Sequence, residues 1–542
     1  MSINYGDILN MFLFNFLLLI TISFSQIQQG GSPSYIFDIE GLDYHVVDKS
    51  NKIDHDLHPM VFHYADEYRI NIDIIKESKI LIRDDIATYS LGVKSEGAKA
   101  LGIIFDDFQL TINSELFIYS YDKSMHIGAF NSKNNNIDNS LETSVVKGEK
   151  VFIELRLPVN EIKDVRLKVG SVMHDFIDLM NLHGNRGSDR VDCNDNVACS
   201  SANDWEDQVD AVVLVSGGGG VCSGAVVNNT ANDLEPYILY AAHCNGGGSS
   251  TVYFNYQSNT CSGNNSGNYD TMSGTQNLAI GNFNNNDYAL IKLYNDIPSS
   301  YNAYYAGWSK SSSNPGNNVV GIHHADGDIK KISYNAYGMG SSGNWWDFAY
   351  SSGRVIPGSS GSPFFDSSKR IRGIASYIYT NYCSPAPDCY CSQNYYHGYA
   401  KFSSAWNYID QYLDPINSGA VTLDGTRYGE QVIYGCTNES ACNYDLDATD
   451  DDGSCVYSEE NYDCNGNCTS QIDECGVCAG DGTSCLEPGD VNADGTLDIV
   501  DIILLINIVL GSEEYNSLGD LNNDFQINIV DVVILVNQIL ST

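Results

Sequence analysis

Apolar and polar positions interleave in short β-like runs along most of the chain. Between residues 26 and 187 the runs Glu115-Leu116-Phe117-Ile118-Tyr119-Ser120-Tyr121 and Lys150-Val151-Phe152-Ile153-Glu154-Leu155-Arg156-Leu157 are typical. This cysteine-free stretch predicts a β-sandwich. Further strand-like runs bounded by Gly and Asn follow at Asp210–Val215, Tyr237–Tyr240 and Arg372–Tyr377. Helical spacing is confined to Ser404–Leu413, read as a closing helix, and to two apolar stretches near the end, Ile502–Leu510 and Val532–Leu540. The apolar run Met11–Ser25 closes on small residues and is short for a membrane span, so residues 1–25 read as a signal peptide cut near Gln26. The region before that run lacks Lys and Arg and carries Asp7, which raises Met11 as the true start.

At 542 residues the chain is expected to hold two to four domains. Acids outnumber bases 69 to 28, which argues against nucleic acid or an anionic membrane surface as partner. The imbalance is uneven, since residues 434–542 contain no Lys or Arg at all. That tail reads as cation-binding or solvating. All 16 cysteines lie at or after Cys193, eight up to Cys391 and eight from Cys436 to Cys485. Even counts in an exported chain favour disulfides over free thiols.

Three stretches carry candidate chemistry. Tyr240-Ala241-Ala242-His243-Cys244 ends a strand with a histidine, Asn286-Asp287-Tyr288-Ala289-Leu290 opens one with an aspartate, and Pro357-Gly358-Ser359-Ser360-Gly361-Ser362-Pro363 places a serine on a tight turn. A serine hydroxyl needs a base to take its proton, and the base needs an anion to fix its tautomer. His243, Asp287 and Ser360 could fill those roles. Their order in the chain is that of chymotrypsin-like proteases. No His-x-x-x-His or paired Cys-x-x-Cys array lies near His243, so zinc is disfavoured.

From about Cys193 to Asp424 the chain resembles the bacterial lysyl endopeptidase branch of trypsin-like serine proteases. The landmarks are Gly220-Val221-Cys222-Ser223-Gly224, Ala242-His243-Cys244, Asp287-Tyr288-Ala289-Leu290, Ala306-Gly307-Trp308, Ile322-His323-His324-Ala325-Asp326-Gly327-Asp328 and Gly358-Ser359-Ser360-Gly361-Ser362-Pro363. The resemblance implies two six-stranded antiparallel barrels over residues 188–430, with the site in the cleft between them. It implies an oxyanion hole from the backbone N–H groups of Gly358 and Ser360, each donor worth ~3 kcal/mol of transition-state stabilisation. Disulfides Cys222–Cys244, Cys199–Cys261 and Cys193–Cys383 are implied too, with Cys389 and Cys391 unassigned. His323 and His324 are expected to be structural. Residues 26–187 are implied to be a propeptide that assists folding and blocks the site, with Arg186 and Arg190 as processing points. A retained binding domain is the other reading of this segment.

Substrate preference departs from the resemblance. Lysine-specific members carry an aspartate just before the strand that here reads Tyr399-Ala400-Lys401-Phe402, where this chain has Gln393-Asn394-Tyr395-Tyr396-His397-Gly398. Arg354-Val355-Ile356-Pro357 replaces the usual Thr-Glu-Pro before the nucleophile. A lysine head group buried without an anion would be costly, so aromatic, apolar and acidic preferences are all open.

Residues 434–486 are cysteine-dense and poor in apolar residues, a small spacer that must be stapled. For Cys475-Gly476-Val477-Cys478, disulfides are favoured over zinc. The last segment, 488–542, repeats itself. Asp490, Asn492, Asp494, Thr496, Asp498 and Asp501 recur as Asp520, Asn522, Asp524, Gln526, Asn528 and Asp531, a spacing of oxygen side chains that wraps a hard cation such as Ca²⁺. This resembles a type I dockerin, which implies two structural calcium ions and docking onto a cohesin-like partner. Phe525 stands where the first loop has Gly495, which predicts a weaker second site.

Together these features predict a mainly β, exported bacterial protein, secreted or held at the cell surface. It would combine a β-sandwich-like propeptide, a double β-barrel trypsin-like domain, a disulfide-rich spacer and a small α-helical dockerin-like tail. The expected activity is serine endopeptidase on protein or peptide substrates, without a catalytic cofactor, by a monomer with no membrane span after signal removal. The competing reading is an inactive protease fold serving adhesion or scaffold docking.

Overall fold

The computed structural model describes residues 31–181, 193–245, 250–263, 269–379, 396–429 and 434–541, apart from 447, 452, 474, 481, 483 and 484. The leader, Arg186, Arg190, Cys383, Cys389, Cys391 and the stretch 393–395 lie outside the described residues. The chain divides into two compact units, one ending at Gln431 and the other beginning at Val432.

In the first unit, the N-terminal part forms two six-stranded sheets. One is centred on Ile86–Lys94 and Lys150–Pro158, paired antiparallel from Lys150↔Lys94 to Pro158↔Ile86. The other is centred on Ala100–Gln109 and Arg166–Asp175. Alternate residues of both sheets face one shared core, with Leu116, Ile118, Ile153 and Leu155 meeting Ile103, Phe105, Val169 and Val172. The sequence runs Glu115–Tyr121 and Lys150–Leu157 fall on the strands Glu115–Ser120 and Lys150–Pro158.

A closed six-stranded barrel follows later in the chain. Its hydrogen-bonded order is Pro363–Phe365, Val320–His323, Lys331–Ser342, Trp345–Ser352, Tyr396–Lys401 and Ile371–Tyr379, and the last strand pairs back onto Pro363–Phe365. Large side chains fill it, among them Trp346, Phe348, Tyr350, Phe364 and Tyr399. A second curled sheet runs Asp270–Ser273, Thr251–Phe254, Val212–Gly217, Gly220–Val226, Tyr237–Tyr240, Ala289–Leu293 and Thr275–Ile280. Its two end strands are consecutive in the chain and meet at Gly274. The expected strand Asp210–Val215 begins two residues late, because Asp210 and Ala211 end a short helix, Glu206–Ala211. The closing helix is Phe402–Leu413, with Phe402, Ala405, Ile409 and Leu413 buried at helical spacing.

The second unit is stapled by Cys436–Cys455, Cys442–Cys464, Cys468–Cys478 and Cys475–Cys485. Cys475 and Cys478 thus go to different partners, and a zinc site between them is ruled out. Two loops then lead into the helices Ile499–Val509 and Ile529–Ser541, both starting three residues earlier than hydrophobic spacing suggests. The reason is capping: the Asp498 side chain accepts from Val500 N at 2.7 Å, and Asp501 closes a capping box with it. A small core of Val491, Leu505, Val532 and Leu535 holds the repeats together. Among the described residues no helix is long and apolar enough to cross a membrane.

Gly495 and Phe525 occupy equivalent loop positions with φ of +82° and +63°. Glycine takes that conformation freely, whereas a side-chain-bearing residue is disfavoured there by about 1 kcal/mol. Phe525 is 87% exposed, so its ring recovers little by packing. Phe525→Gly is therefore expected to raise the stability of the second loop by about 1 kcal/mol, read from chemical denaturation; unchanged or lowered stability would show that the ring packs in a way that offsets the strain.

Candidate active site

His243 lies on a one-turn 3-10 helix, Ala242–Cys244, directly after the strand Tyr237–Tyr240. Cys244 is bonded to Cys222 on the neighbouring strand Gly220–Val226, which fixes the turn from its far side. Closing a loop of this length is worth about 3 kcal/mol in the chain-entropy account. Cys199–Cys261 is a second bridge in the same unit. Cys193 is also disulfide-bonded.

Asp287 is fully buried at the head of the strand Ala289–Leu293. Its Oδ2 accepts from His243 Nδ1 at 2.8 Å and its Oδ1 from the His243 backbone N–H at 3.1 Å. Ser376 Oγ donates a third, short bond to Oδ2. Three donors on one buried carboxylate compensate its desolvation. They also place the imidazole proton on Nδ1, leaving Nε2 as the acceptor. Nε2 is shielded from solvent and has no hydrogen-bond partner. Ser376 was not picked out from the sequence; a serine inside the apolar run Arg372–Tyr377 was the available signal.

Ser360 sits in a tight turn ahead of the strand Pro363–Phe365. Gly358 in this turn has φ +89°, and a Cβ there would come within 2.7 Å of Gly327 N and His324 O. Only glycine suits the position. The turn is held by Ser359 N donating to Ile356 O at 2.9 Å and Gly361 N to Ala375 O at 2.8 Å. His323 and His324 are fully buried behind it. Ser359 Oγ and His323 Nδ1 are 2.9 Å apart, and His324 Nδ1 is 2.8 Å from Asp328 O. Burial and Lys330 push the His324 pKa well down. Both histidines are structural parts of the wall.

The cleft is occupied by the chain's own N-terminal part. The carbonyl of Met60 accepts from the Gly358 backbone N–H at 3.0 Å and from Ser360 Oγ at 3.1 Å. Directly after it, Phe62–His63 adds as an antiparallel strand to Gly220–Val221, with Gly220↔His63 and Val221↔Phe62 in register. Val61 packs so closely on Gly220 that a Cβ there would lie 2.3 Å from Val61 Cγ1. On the other side of Met60, the His58 ring lies 4.4 Å from the ring of His243 and 4.3 Å from that of Phe283. Desolvation, followed by the proximity of His243, lowers the His58 pKa. Met60 thus presents its carbonyl to both the Gly358 N–H and the Ser360 hydroxyl.

The docking extends beyond the cleft. Tyr64 and Leu179 join Leu214, Val221, Tyr253 and Tyr256 in one apolar cluster, and Tyr256 OH donates to Leu179 O at 3.1 Å. Beside it lies a cavity of about 200 Å³ lined by His55, Glu67, Asp106, Glu142, Gly218 and Ser250.

In the second unit, the twelve predicted calcium ligands fall on the two loops. Asp490, Asp501, Asp520 and Asp531 are buried. Asp501 accepts from Asn492 N at 3.2 Å and from Asp498 N at 3.0 Å, and Asp531 repeats this with Asn522 N at 3.4 Å and Asn528 N at 2.9 Å. Asp494 is drawn aside by Thr496 Oγ1 at 2.6 Å and Asn492 Nδ2 at 2.7 Å. Among the described residues no three His, Cys, Asp or Glu side chains are gathered as a metal cluster. Four buried carboxylates in a segment without Lys or Arg nevertheless fit a hard cation as counter-charge.

A mainly β chain with a buried carboxylate–imidazole pair facing a Gly-Ser turn has the makings of a serine peptidase homologue. Comparison of sequences agrees: residues 188–390 match the family model for the lysyl endopeptidase C-terminal domain, and residues 488–540 match that for the dockerin type I domain. The chain is a distant homologue of the lysyl endopeptidase of Pseudomonas aeruginosa, 28% identical over 307 residues. That alignment takes in 50% of this chain and 63% of the relative's length.

The buried Glu142 at this cavity gives the fold a pH dependence. Burial, reinforced by Glu67, pushes the Glu142 carboxyl well above its ordinary 4.5, so the folded chain holds this proton more tightly than the unfolded one. An acid with a raised pKa contributes full stability below about 4.5, and that stability is lost as pH climbs toward the raised value. Thermal unfolding scans from pH 4 upward are expected to show a decline that Glu142→Gln makes shallower, by at most about 1.4 kcal/mol per pH unit. Identical slopes in wild type and variant would remove Glu142 from the linkage.

Proposed function

We propose that the chain is the precursor of a secreted serine endopeptidase, with His243, Asp287 and Ser360 as its catalytic triad. The observation that carries this reading is the Met60 carbonyl bound by both Gly358 N–H and Ser360 Oγ. A site that grips a peptide carbonyl beside a serine hydroxyl is arranged for acyl transfer. With the segment gone, Ser360 Oγ is free to turn to His243 Nε2, which takes its proton as the oxygen attacks. Asp287 keeps the imidazole in the tautomer this needs and stabilises the imidazolium. Gly358 N–H, joined by Ser360 N–H, receives the developing oxyanion. The curled sheet ending at Gly274 is read as the second barrel of a double-barrel domain.

On the same reading, residues 26–187 are a β-sandwich propeptide that holds the enzyme latent by lying in the cleft in substrate register. Residues 434–486 are a stapled spacer. Residues 488–542 are a dockerin-like domain that takes two calcium ions, held by Asp490, Asn492, Asp494, Asp498 and Asp501 and by Asp520, Asn522, Asp524, Asn528 and Asp531. Thr496 and Gln526 contribute at the remaining ligand position. Bound there, calcium would neutralise the buried carboxylates of Asp490, Asp501, Asp520 and Asp531 and order the loops for a cohesin-like partner. An oxidising, extracellular setting suits the disulfides.

Hydrolysis of a mixed peptide library should appear as the precursor matures, vanish in Ser360→Ala, and drop about 10⁴-fold in kcat in Asp287→Asn. No cleavage from a processed wild type would favour the adhesion or docking reading, and cleavage that survives Ser360→Ala would remove Ser360 as the nucleophile. Independently, adding calcium to metal-free protein should raise the melting temperature of the second unit by ligand linkage, with two binding events by calorimetry; no calcium heat and no shift would leave the tail without its ions.

A further inference from the structure

The turn that carries Ser360 is preceded by a cation. Arg354 stands six residues before Ser360, the spacing at which trypsin carries the aspartate that pairs with a basic side chain before the scissile bond. Here a guanidinium occupies that position, half-buried, with Nε shielded from solvent and without a hydrogen-bond partner. Among the described residues its side chain has no ion-pair or hydrogen-bond partner; the neighbouring bond, Arg354 N to Asn194 Oδ1 at 2.7 Å, is from the backbone. Beside it is His397, fully buried on the strand Tyr396–Lys401, with Nε2 3.5 Å from Val355 N. His323, on the Ser359 hydroxyl, is the next basic group along the wall. Burial holds the His397 pKa down to about 3, with His323 and Arg354 adding to the effect. The imidazole is therefore neutral and the fixed charge is that of Arg354.

A cation left half out of water without a partner is a standing cost that an incoming anion removes. A lysine side chain entering the same space would meet like charge. Guanidinium and carboxylate pair in a bidentate fork, which gives geometry as well as energy. Building on the endopeptidase reading above, we propose that Arg354 selects an acidic side chain, glutamate or aspartate, immediately before the scissile bond, and that the chain cleaves acidic peptides rather than lysyl ones. Met60 fits this assignment: the residue whose carbonyl meets Ser360 has an apolar side chain without a carboxylate, so the resident segment lies at Ser360 without the feature that Arg354 is proposed to select.

The test uses the purified full chain, incubated until Ser360-dependent activity appears, against four peptides that differ in one residue, Glu, Lys, Met or Phe before the cleaved bond. The Glu peptide is expected to have a kcat/KM about 100-fold above the Lys peptide. Arg354→Gln, which keeps the shape and removes the charge, is expected to lower the ratio of kcat/KM for Glu over Met by about 100-fold, mainly through KM. Arg354→Lys should restore part of that ratio, which a merely structural role would not do. Ser360-dependent cleavage that favours Lys, Met or Phe overturns the acidic preference while leaving the endopeptidase reading intact. A Glu preference unchanged in Arg354→Gln overturns the role of Arg354. Failure of all four peptides, with no difference between wild type and Ser360→Ala, overturns the endopeptidase reading and this inference with it.

Discussion

The first unit turns on one carbonyl oxygen. Met60 O takes hydrogen bonds from Gly358 N–H and Ser360 Oγ, and those two contacts set the register of the whole N-terminal segment in the cleft. Each such bond is worth only about 1 kcal/mol net, too little to hold some 150 residues in place. The holding force lies further along, where Tyr64 and Leu179 bury themselves against Leu214, Val221 and Tyr256. Burying one large apolar side chain contributes about 1.5–3 kcal/mol. The division of labour is therefore clear: apolar burial supplies affinity, and the carbonyl supplies register. Gly220 is the permissive element, since any side chain there would strike Val61.

The same separation of strength from position governs the imidazole. Asp287 is fully buried and would be expensive as a bare charge. Three donors make it tolerable, and two of them belong to His243 itself. The carboxylate thus fixes the histidine through both backbone and ring, while the Cys222–Cys244 bridge fixes the loop from behind. The ring's remaining nitrogen has no partner while Met60 is present, because Ser360 Oγ is directed to Met60 O instead. On the endopeptidase reading, occupancy of the cleft and separation of base from nucleophile are one event, not two.

Local features of this arrangement were legible in the sequence, and distant ones were not. A histidine beside a cysteine at a strand end, an aspartate ahead of an apolar strand and a serine among glycines each carry their meaning within a few residues. So do the oxygen-bearing loop positions near the C-terminus, where the spacing is fixed by one turn of chain. Ser376 is different: it reads as one polar residue in a strand until the fold brings it 89 positions back to Asp287. Met60 lies 300 positions from Ser360, and nothing around Leu57-His58-Pro59-Met60-Val61 distinguishes it from any loop. Helix starts were missed by three residues because the capping side chains of Asp498 and Asn528, not apolar spacing, decide where each helix begins. In the Asp210–Val215 run the period-two reading lost to the short helix that precedes the strand.

The two units pose the same electrostatic question with opposite sign. In the first, Arg354 is a guanidinium with no anion among the described residues; in the second, Asp490, Asp501, Asp520 and Asp531 are buried carboxylates in a segment that has no Lys or Arg. A chain can satisfy such groups internally, as it does for Arg372 with Asp366 at 3.1 Å and Arg427 with Asp207 at 2.7 Å. Where it does not, the missing charge must come from outside. The tail has no Lys or Arg to supply an internal cation, which is why a metal ion is proposed for it, as an acidic substrate side chain is proposed for Arg354. Unpaired charge at a buried or half-buried position is therefore informative here because the same molecule pairs its other buried arginines, and the sign of each deficit names the chemistry of what completes it.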